Sequence, residues 1–161
     1  MQQEIQTIDG VNEVKNPEAV LKFGSNVAKM LKDVISKKSK PVSIGGEQYL
    51  EFEDWQTVAR FYQCTAQVEW SKEIKTKDTK GNELVAGYEA RAVVLRRDGS
   101  QISAAESMCL KDEPLWSNKP LFQLKSMAQT RACSKALRNV FSWVAVLAGY
   151  KSNSAEEMVQ K

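Results

Sequence analysis

The 161-residue chain contains no histidine, and its three cysteines, Cys64, Cys109 and Cys133, lie far apart without CxxC spacing. Without histidine, the chain lacks the commonest general base and metal ligand, and the usual Ser-His-Asp arrangement is excluded. Three isolated cysteines predict neither a disulfide framework nor a zinc site, so we expect reduced, buried thiols. The sequence predicts no catalytic residue, no metal and no other cofactor.

Nucleotide-binding and membrane-spanning patterns are also missing. No GxxxxGK[ST] occurs, and no GxGxxG follows a predicted strand, so no motif predicts ATP binding. No apolar run reaches the roughly 18 residues that span a bilayer. Residues 1–10 are polar and acidic, unlike a secretory signal. We therefore expect a cytoplasmic, non-enzymatic protein without a membrane partner.

Negative charge is absent from a long stretch of the chain. No Asp or Glu occurs between Pro114 and Ala155. The cations of this stretch are Lys119, Lys125, Arg131, Lys135, Arg138 and Lys151. The net charge of +3 is too small to indicate a nucleic-acid binder by itself. The uneven distribution, with an acidic start and a basic second half, is the more informative property.

Hydrophobic periodicity divides the chain into helices and strands. The predicted helices are 17–36, 53–62 and 121–147, and the predicted strands are 65–74, 88–96 and 101–108. Gly45-Gly46 and Asp98-Gly99 are turn signals. This order predicts an α+β fold, a curved antiparallel β-meander with a long amphipathic basic helix packed across it. The predicted domain is 17–150, between flexible tails at 1–16 and 151–161.

The long helix carries the main candidate site. Arg131, Lys135, Arg138 and Ser142 line up on one side of a helical wheel. The apolar residues of the opposite side are Ala132, Cys133, Ala136, Leu137, Val140, Val144 and Leu147. Like charges at i,i+4 repel each other, and no acid on this helix offsets them, so a bound polyanion would stabilise the arrangement. The alternative is a solvated face, or pairing with acids elsewhere in the fold.

The predicted sheet offers a second basic surface. Arg91, Arg96 and Arg97 lie on or just after the second strand, and Lys72 lies on the first strand, before the lysine-rich hairpin 75–83. Tyr88 and Trp116 are candidate stacking groups for bases, whereas for Trp70 we favour core packing. A basic channel between hairpin and helix would follow a phosphate backbone. Hairpin lysines that serve only solubility are the alternative.

Two further features have competing interpretations. Glu51, Glu53 and Asp54 lie close in sequence and could contribute to a metal-dependent nuclease, although acids that cap the short helix are the simpler interpretation. The apolar stripe of the helix 17–36 is too long to remain exposed. We expect that stripe to pack on a neighbouring subunit or on the chain's own sheet.

Several of these segments together resemble Rad-fifty-two-type single-strand annealing proteins. The segment 125–138, with Ala128, Thr130 and Lys135-Ala136-Leu137-Arg138, resembles the helix that lines the DNA groove in that family. Gly45-Gly46 before Tyr49-Leu50-Glu51, and 93–100 ending in Arg97-Asp98-Gly99-Ser100, resemble its short-helix entry and its strand with turn. The resemblance covers about residues 37–150, and the architecture also resembles phage-encoded annealing proteins.

The resemblance implies a homo-oligomeric ring or filament that holds single-stranded DNA in an outer groove and pairs it with a complementary strand, in recombination or repair. By matched position, Lys135 and Arg138 would contact phosphates, and Lys38 or Lys40 would lie near the groove floor. Ser134 stands where the family has a basic residue, and Arg131 where it has an acid. A strand-protecting protein and a protein-binding adaptor are the alternatives.

Overall fold

The structure, a computed structural model, describes residues 16–158. The helices in this range are α1 (Pro17–Ser36), α2 (Phe52–Phe61) and α3 (Leu121–Leu147), with a 3-10 turn at Ala155–Glu157. The strands are β1 (Val42–Ile44), β2 (Glu47–Tyr49), β3 (Cys64–Lys77), β4 (Glu83–Arg96) and β5 (Gln101–Leu110). The α+β class and the bounds of α1 and α3 agree with the sequence prediction.

Local signals explain where the helices begin. Asn16 caps α1 by accepting hydrogen bonds from the backbone N–H groups of Glu18 and Ala19, and Pro17 occupies the first helical position. Glu51 and Asp54 form a capping box at the start of α2. These interactions involve residues close in sequence, which is why the helix starts were predictable from the chain alone.

The larger sheet is an antiparallel meander in the order β3-β4-β5. Strands β3 and β4 extend to 14 residues each, longer than predicted, because they pair through the polar stretch up to Lys77 and Glu83. Strands β1 and β2 form a separate hairpin, where the sequence had predicted only a turn. Gly45 and Gly46 link them with φ values of 61° and 81°, which glycine adopts without strain.

Helix α3 is the central element of the domain. It packs against all three strands of the meander and also against α1 and α2. Small residues of α3, including Ala128 and Ala136, are buried with Ala90 and Ala92 of β4 in one core. Burial covers more of α3 than predicted, because Leu124, Phe141 and Ala145 are buried as well. Two predicted core positions differ, since Leu147 is 47% exposed and Val140 is only partly buried.

The chain after α3 folds back onto the domain. The backbone N–H of Lys151 donates to the Gln48 carbonyl, and that of Ala155 donates to the Leu50 carbonyl. Ser154 and Ala155 are buried. The sequence had placed the domain end at 150 and a tail over 151–161, but the packed body extends at least to Met158. The predicted tail 1–16 lies outside the described residues except for Asn16, as do residues 159–161.

Helix length and hydropathy give no membrane-spanning candidate between residues 16 and 158.

Candidate nucleic-acid interface

Arg131, predicted to contact DNA, lies in the interior of a polar network. Its guanidinium donates to both carboxylate oxygens of Glu113, at 2.9 and 2.7 Å. It also donates to the backbone carbonyls of Glu156 and Met108, at 2.9 and 2.8 Å. Its side chain is only 14% exposed. Four acceptor atoms of the same chain bind this guanidinium. Arg131 therefore joins α3 to β5, to the loop that contains Glu113 and to the C-terminal segment.

Arg138 is neutralised by the C-terminal segment. Its Nε and Nη2 atoms donate to the two carboxylate oxygens of Glu157, and its side chain is 22% exposed. Burial alone would raise the pKa of Glu157, but the hydrogen bonds from Arg138 and from the Ser154 backbone lower it. The ion pair is therefore charged at neutral pH, and a phosphate could reach Arg138 fully only by displacing Glu157.

Lys135 and Lys125 remain without a carboxylate partner within residues 16–158. The Nζ of Lys135 donates to the backbone carbonyl of Glu106 on the open edge of β5, at 3.3 Å. Lys125 is exposed near the start of α3, about 80° around the helix from Lys135. These two lysines are the predicted α3 cations that form no ion pair in the described fold, although the charge of Lys135 helps to lower the pKa of the Glu157 carboxyl.

Lys38 is bound by the acids at the start of α2. Its Nζ lies 2.7 Å from Glu51, 2.9 Å from Asp54 and 3.3 Å from Glu53. Burial alone would lower the pKa of Lys38, but hydrogen bonds to Glu51 and Asp54 raise it. The three acids considered for a nuclease thus converge on an ammonium group. Lys40, two residues later, is exposed.

The sheet cations lie on the face of the meander opposite the core. Ala90 and Ala92 of β4 are in the core, so Arg91 between them points to the other face. There its guanidinium pairs with Glu69, at 2.8 Å, and Glu106, at 3.3 Å. Lys72 stacks on the ring of Trp70, with its Nζ 4.3 Å from the centroid. Trp70 is half-buried on this outer face, contrary to the core packing expected for it.

The remaining sheet arginines flank the β4–β5 turn. Arg96 donates weakly to the Ser100 hydroxyl at 3.4 Å, and Arg97 is exposed. The ten predicted DNA-binding residues are therefore distributed over α3, the segment between α1 and β1, and the outer face and turn of the sheet. Arg131, Arg138, Lys38 and Arg91 form ion pairs, and for the two α3 arginines this is the pairing with acids elsewhere in the fold that the sequence had left open.

A cavity of about 400 Å³ opens beside Arg131. We call it the Trp116 cavity. Its apolar wall is formed by Val42, Pro114, Leu115, Trp116, Met127 and Met158. Its polar lining comes from Glu51, Glu113, Thr130, Arg131 and Glu156. Cavities of this size hold small ligands or anchoring side chains of partner proteins.

Glu156, at the edge of this cavity, carries a carboxylate in an unfavourable environment. One oxygen accepts a 2.6 Å hydrogen bond from the backbone N–H of Phe52, whereas the other is buried and has no partner among the described atoms. Burial raises the pKa of Glu156, and the nearby Glu51 and Glu53 raise it further. Because the pKa of Glu156 is higher in the folded than in the unfolded chain, its stabilising contribution is complete below the unfolded-state pKa of this carboxyl. The contribution is lost as pH rises through the folded-state pKa.

We expect Glu156→Gln to stabilise the protein relative to wild type at alkaline pH, and less so at acidic pH. The amide keeps the acceptor for Phe52 but is never charged, so its advantage grows as the wild-type carboxylate ionises. The difference in thermal unfolding temperature, measured at several pH values, checks this. A difference that is constant with pH, or that shrinks as pH rises, contradicts the assignment.

The acids that pair with the α3 arginines were not predicted. Glu113 and Glu157 lie 18 and 19 residues from Arg131 and Arg138, on either side of the acid-free stretch. One local signal was present, because Ser154 and Glu157 have the spacing of a capping box and form one around the 3-10 turn. This signal indicates an ordered segment but does not indicate its partner.

The cysteines are buried, as predicted. Burial raises the pKa of both Cys109 and Cys133 to about 11, so these thiols are protonated at neutral pH. Tyr88 and Trp116, the candidate stacking groups, are partly buried and pack against the core.

No family model, curated protein or solved structure matches this chain.

Proposed function

We propose that the chain binds single-stranded DNA and anneals complementary strands without ATP. The observation that carries this proposal is the positive charge of Lys125 and Lys135 on α3, which no ion pair of the described residues neutralises, in a stretch without any acid from Pro114 to Ala155. Lys135 is also the position that matches a phosphate contact in Rad-fifty-two-type proteins. The order helix, hairpin, short helix, meander and long helix is compatible with the same family.

The proposed binding mode uses lysines rather than arginines. Lys125 and Lys135 bind phosphates, and Lys40 and Arg97 are two further exposed cations that form no ion pair among the described residues. Arg131 and Arg138 hold the C-terminal segment on α3 instead of contacting DNA. Ser134, where the family has a basic residue, is fully buried, so this position has no access to a bound strand. Binding releases counterions, and affinity therefore falls with salt.

Annealing then follows from positioning alone. Strands held extended on neighbouring subunits present their base edges, and pairing is favourable once two complementary strands meet. The proposed assembly is a homo-oligomeric ring or filament in the cytoplasm, in a bacterial host if the chain is phage-encoded, and the proposed pathway is DNA recombination or repair.

The test is an annealing assay with two complementary oligonucleotides, one of them dye-labelled. We expect wild type to accelerate pairing without ATP, and Lys125→Ala/Lys135→Ala to lose most of this acceleration. For each lysine that contacts a phosphate, the slope of log affinity against log salt should fall by about 0.7. Arg60→Ala removes one exposed charge on α2 and should leave the slope unchanged, which makes it the matched control.

The rival functions give different results in the same assay. A strand-protecting protein binds the oligonucleotide but slows pairing. A protein-binding adaptor does neither, and a nuclease shortens the labelled strand when magnesium or manganese is added. A wild-type protein whose DNA binding does not depend on salt would contradict the phosphate-binding surface itself.

A further inference from the structure

The basic side of α3 already holds an anionic group of the same chain. We call the 3-10 turn Ala155–Glu157 the C-terminal turn. Arg138 donates from Nε to one carboxylate oxygen of Glu157 and from Nη2 to the other, the latter at 2.8 Å. Burial raises the pKa of the Glu157 carboxyl, and the hydrogen bonds from Arg138 lower it, as does the charge of nearby Lys135. Glu157 therefore lies between two α3 cations that the sequence predicts to contact phosphates.

Glu157 occupies Arg138 in the way that a phosphate would. The planar guanidinium offers two parallel N–H donors, which match two oxygens of either a carboxylate or a phosphate. Another anion cannot make the same paired contact while Glu157 accepts from both donors. The ion pair lies at the surface, since the side chains of Arg138 and Glu157 are 22% and 15% exposed. A strand that binds along α3 therefore competes with Glu157 for this guanidinium.

The attachment of the C-terminal turn includes an unfavourable contact. The backbone N–H of Ala155 donates to the Leu50 carbonyl, and Arg131 donates to the Glu156 carbonyl. Against these contacts, one oxygen of the Glu156 carboxylate is buried without a partner among the described atoms. A buried polar atom without a hydrogen bond opposes the attachment. The ion pair with Arg138 offsets part of this penalty, so an anion that takes over Arg138 weakens the attachment of the turn.

We propose that the C-terminal turn is an autoinhibitory contact, in which Glu157 occupies the position of a DNA phosphate on α3 and is displaced by a bound single strand. This regulation rests on the proposed function. In the closed state, which the structure describes, Arg138 holds the turn, and Lys125 and Lys135 are the cations open to phosphates. In the open state Arg138 binds a further phosphate beside Lys135. Because release of the turn consumes part of the binding free energy, wild-type affinity is lower than these cations alone would give.

Glu157→Gln tests the competition, because the amide keeps the size of the side chain but removes its negative charge. We expect this variant to bind dye-labelled oligothymidylate about tenfold more tightly than wild type, within the usual range of coupling between two contacts. Adding Arg138→Lys keeps the positive charge but not the paired donors, so most of the gain should disappear. Unchanged affinity of Glu157→Gln, or a full gain with Arg138→Lys, would overturn the proposal.

Glu47→Gln is the matched control for Glu157→Gln. Glu47 lies on β2 and pairs with Lys151 at 3.3 Å, so its replacement also removes one negative charge and one ion pair. Its affinity for the same oligonucleotide should stay within about twofold of wild type, because an exposed pair contributes little. An equal gain in both variants would mean that net charge alone is responsible. Thermal unfolding verifies that each variant is folded.

Hydrogen exchange followed by mass spectrometry gives a readout on wild type itself. Competition is reciprocal, so saturating oligothymidylate should speed exchange in fragments that cover residues 152–158 and leave α1 unchanged. If wild type binds the oligonucleotide but exchange over 152–158 stays the same or slows, the autoinhibitory contact is refuted and DNA binding stands. If neither wild type nor Glu157→Gln binds, the proposed function fails and the autoinhibition fails with it.

Discussion

Replacing Arg131 by alanine is expected to lower the free energy of unfolding by about 3 kcal/mol, the typical cost of removing one partner of a buried ion pair. The substitution leaves the carboxylate of Glu113 without its partner. It also removes the donors to the carbonyls of Met108 and Glu156, which lie on β5 and in the C-terminal segment. Urea unfolding followed by circular dichroism measures the loss.

Two companion variants show whether the geometry or the charge of Arg131 is responsible for its contribution to stability. Arg131→Lys keeps the charge but lacks the planar fork that spans Glu113 and both carbonyls, so an intermediate loss is expected. Lys135→Ala, one turn along α3, should change stability by no more than about 0.5 kcal/mol. If Arg131→Ala were as stable as wild type but failed to bind DNA, Arg131 would be a DNA contact rather than a structural residue.

Replacing Gly87 by alanine is expected to destabilise the meander by about 2–3 kcal/mol. A Cβ atom built on Gly87 would lie 2.2 Å from the backbone carbonyl oxygen of Cys109 and 2.9 Å from the Cα of Leu110. Both atoms belong to the backbone of β5, the neighbouring strand, so they cannot move away without disturbing the pairing of β4 with β5. Thermal unfolding monitored by circular dichroism checks the prediction.

Gly99→Ala is the matched control for Gly87→Ala. Gly99 lies in the β4–β5 turn with a φ of 86°, and no atom lies within 4 Å of a Cβ added there. Its replacement introduces backbone strain alone, at a cost of about 1 kcal/mol. The amount by which Gly87→Ala loses more stability than Gly99→Ala measures the cost of the steric clash between β4 and β5. Equal losses in the two variants would show that β5 yields easily at Cys109.

Arg138 has two candidate roles, a phosphate contact and an ion pair that holds the C-terminal segment, so annealing and stability are measured on the same Arg138 variant. Its matched position in the annealing family suggests a phosphate contact, whereas here Glu157 occupies its guanidinium. A variant that loses DNA binding together with stability supports a structural role. Lys135 avoids this ambiguity, since its described contact is one hydrogen bond to a carbonyl.

The sequence by itself determined the order and type of the main elements. Asn16 and Pro17 start α1, the acids Glu51 and Asp54 cap α2, and apolar spacing sets the 27 residues of α3. Each of these signals acts between residues within a few positions of one another, so it can be identified without the fold. The acid-free stretch is also a property of the sequence alone.

Tertiary structure decided which charges form ion pairs. Arg131, Arg138 and Arg91 meet carboxylates 15 to 22 residues away, and Lys38 meets acids 13 to 16 residues away. A helical wheel cannot show such pairs, because they form only when the strands pair, when the loop with Glu113 and the C-terminal segment pack on α3, and when α2 approaches the end of α1. Ion pairing depends on distance in space, whereas helix caps and hydrophobic periodicity depend on distance along the chain. For that reason the basic helix was predictable, but the distinction between its ion-paired arginines and its lysines without an ion pair was not.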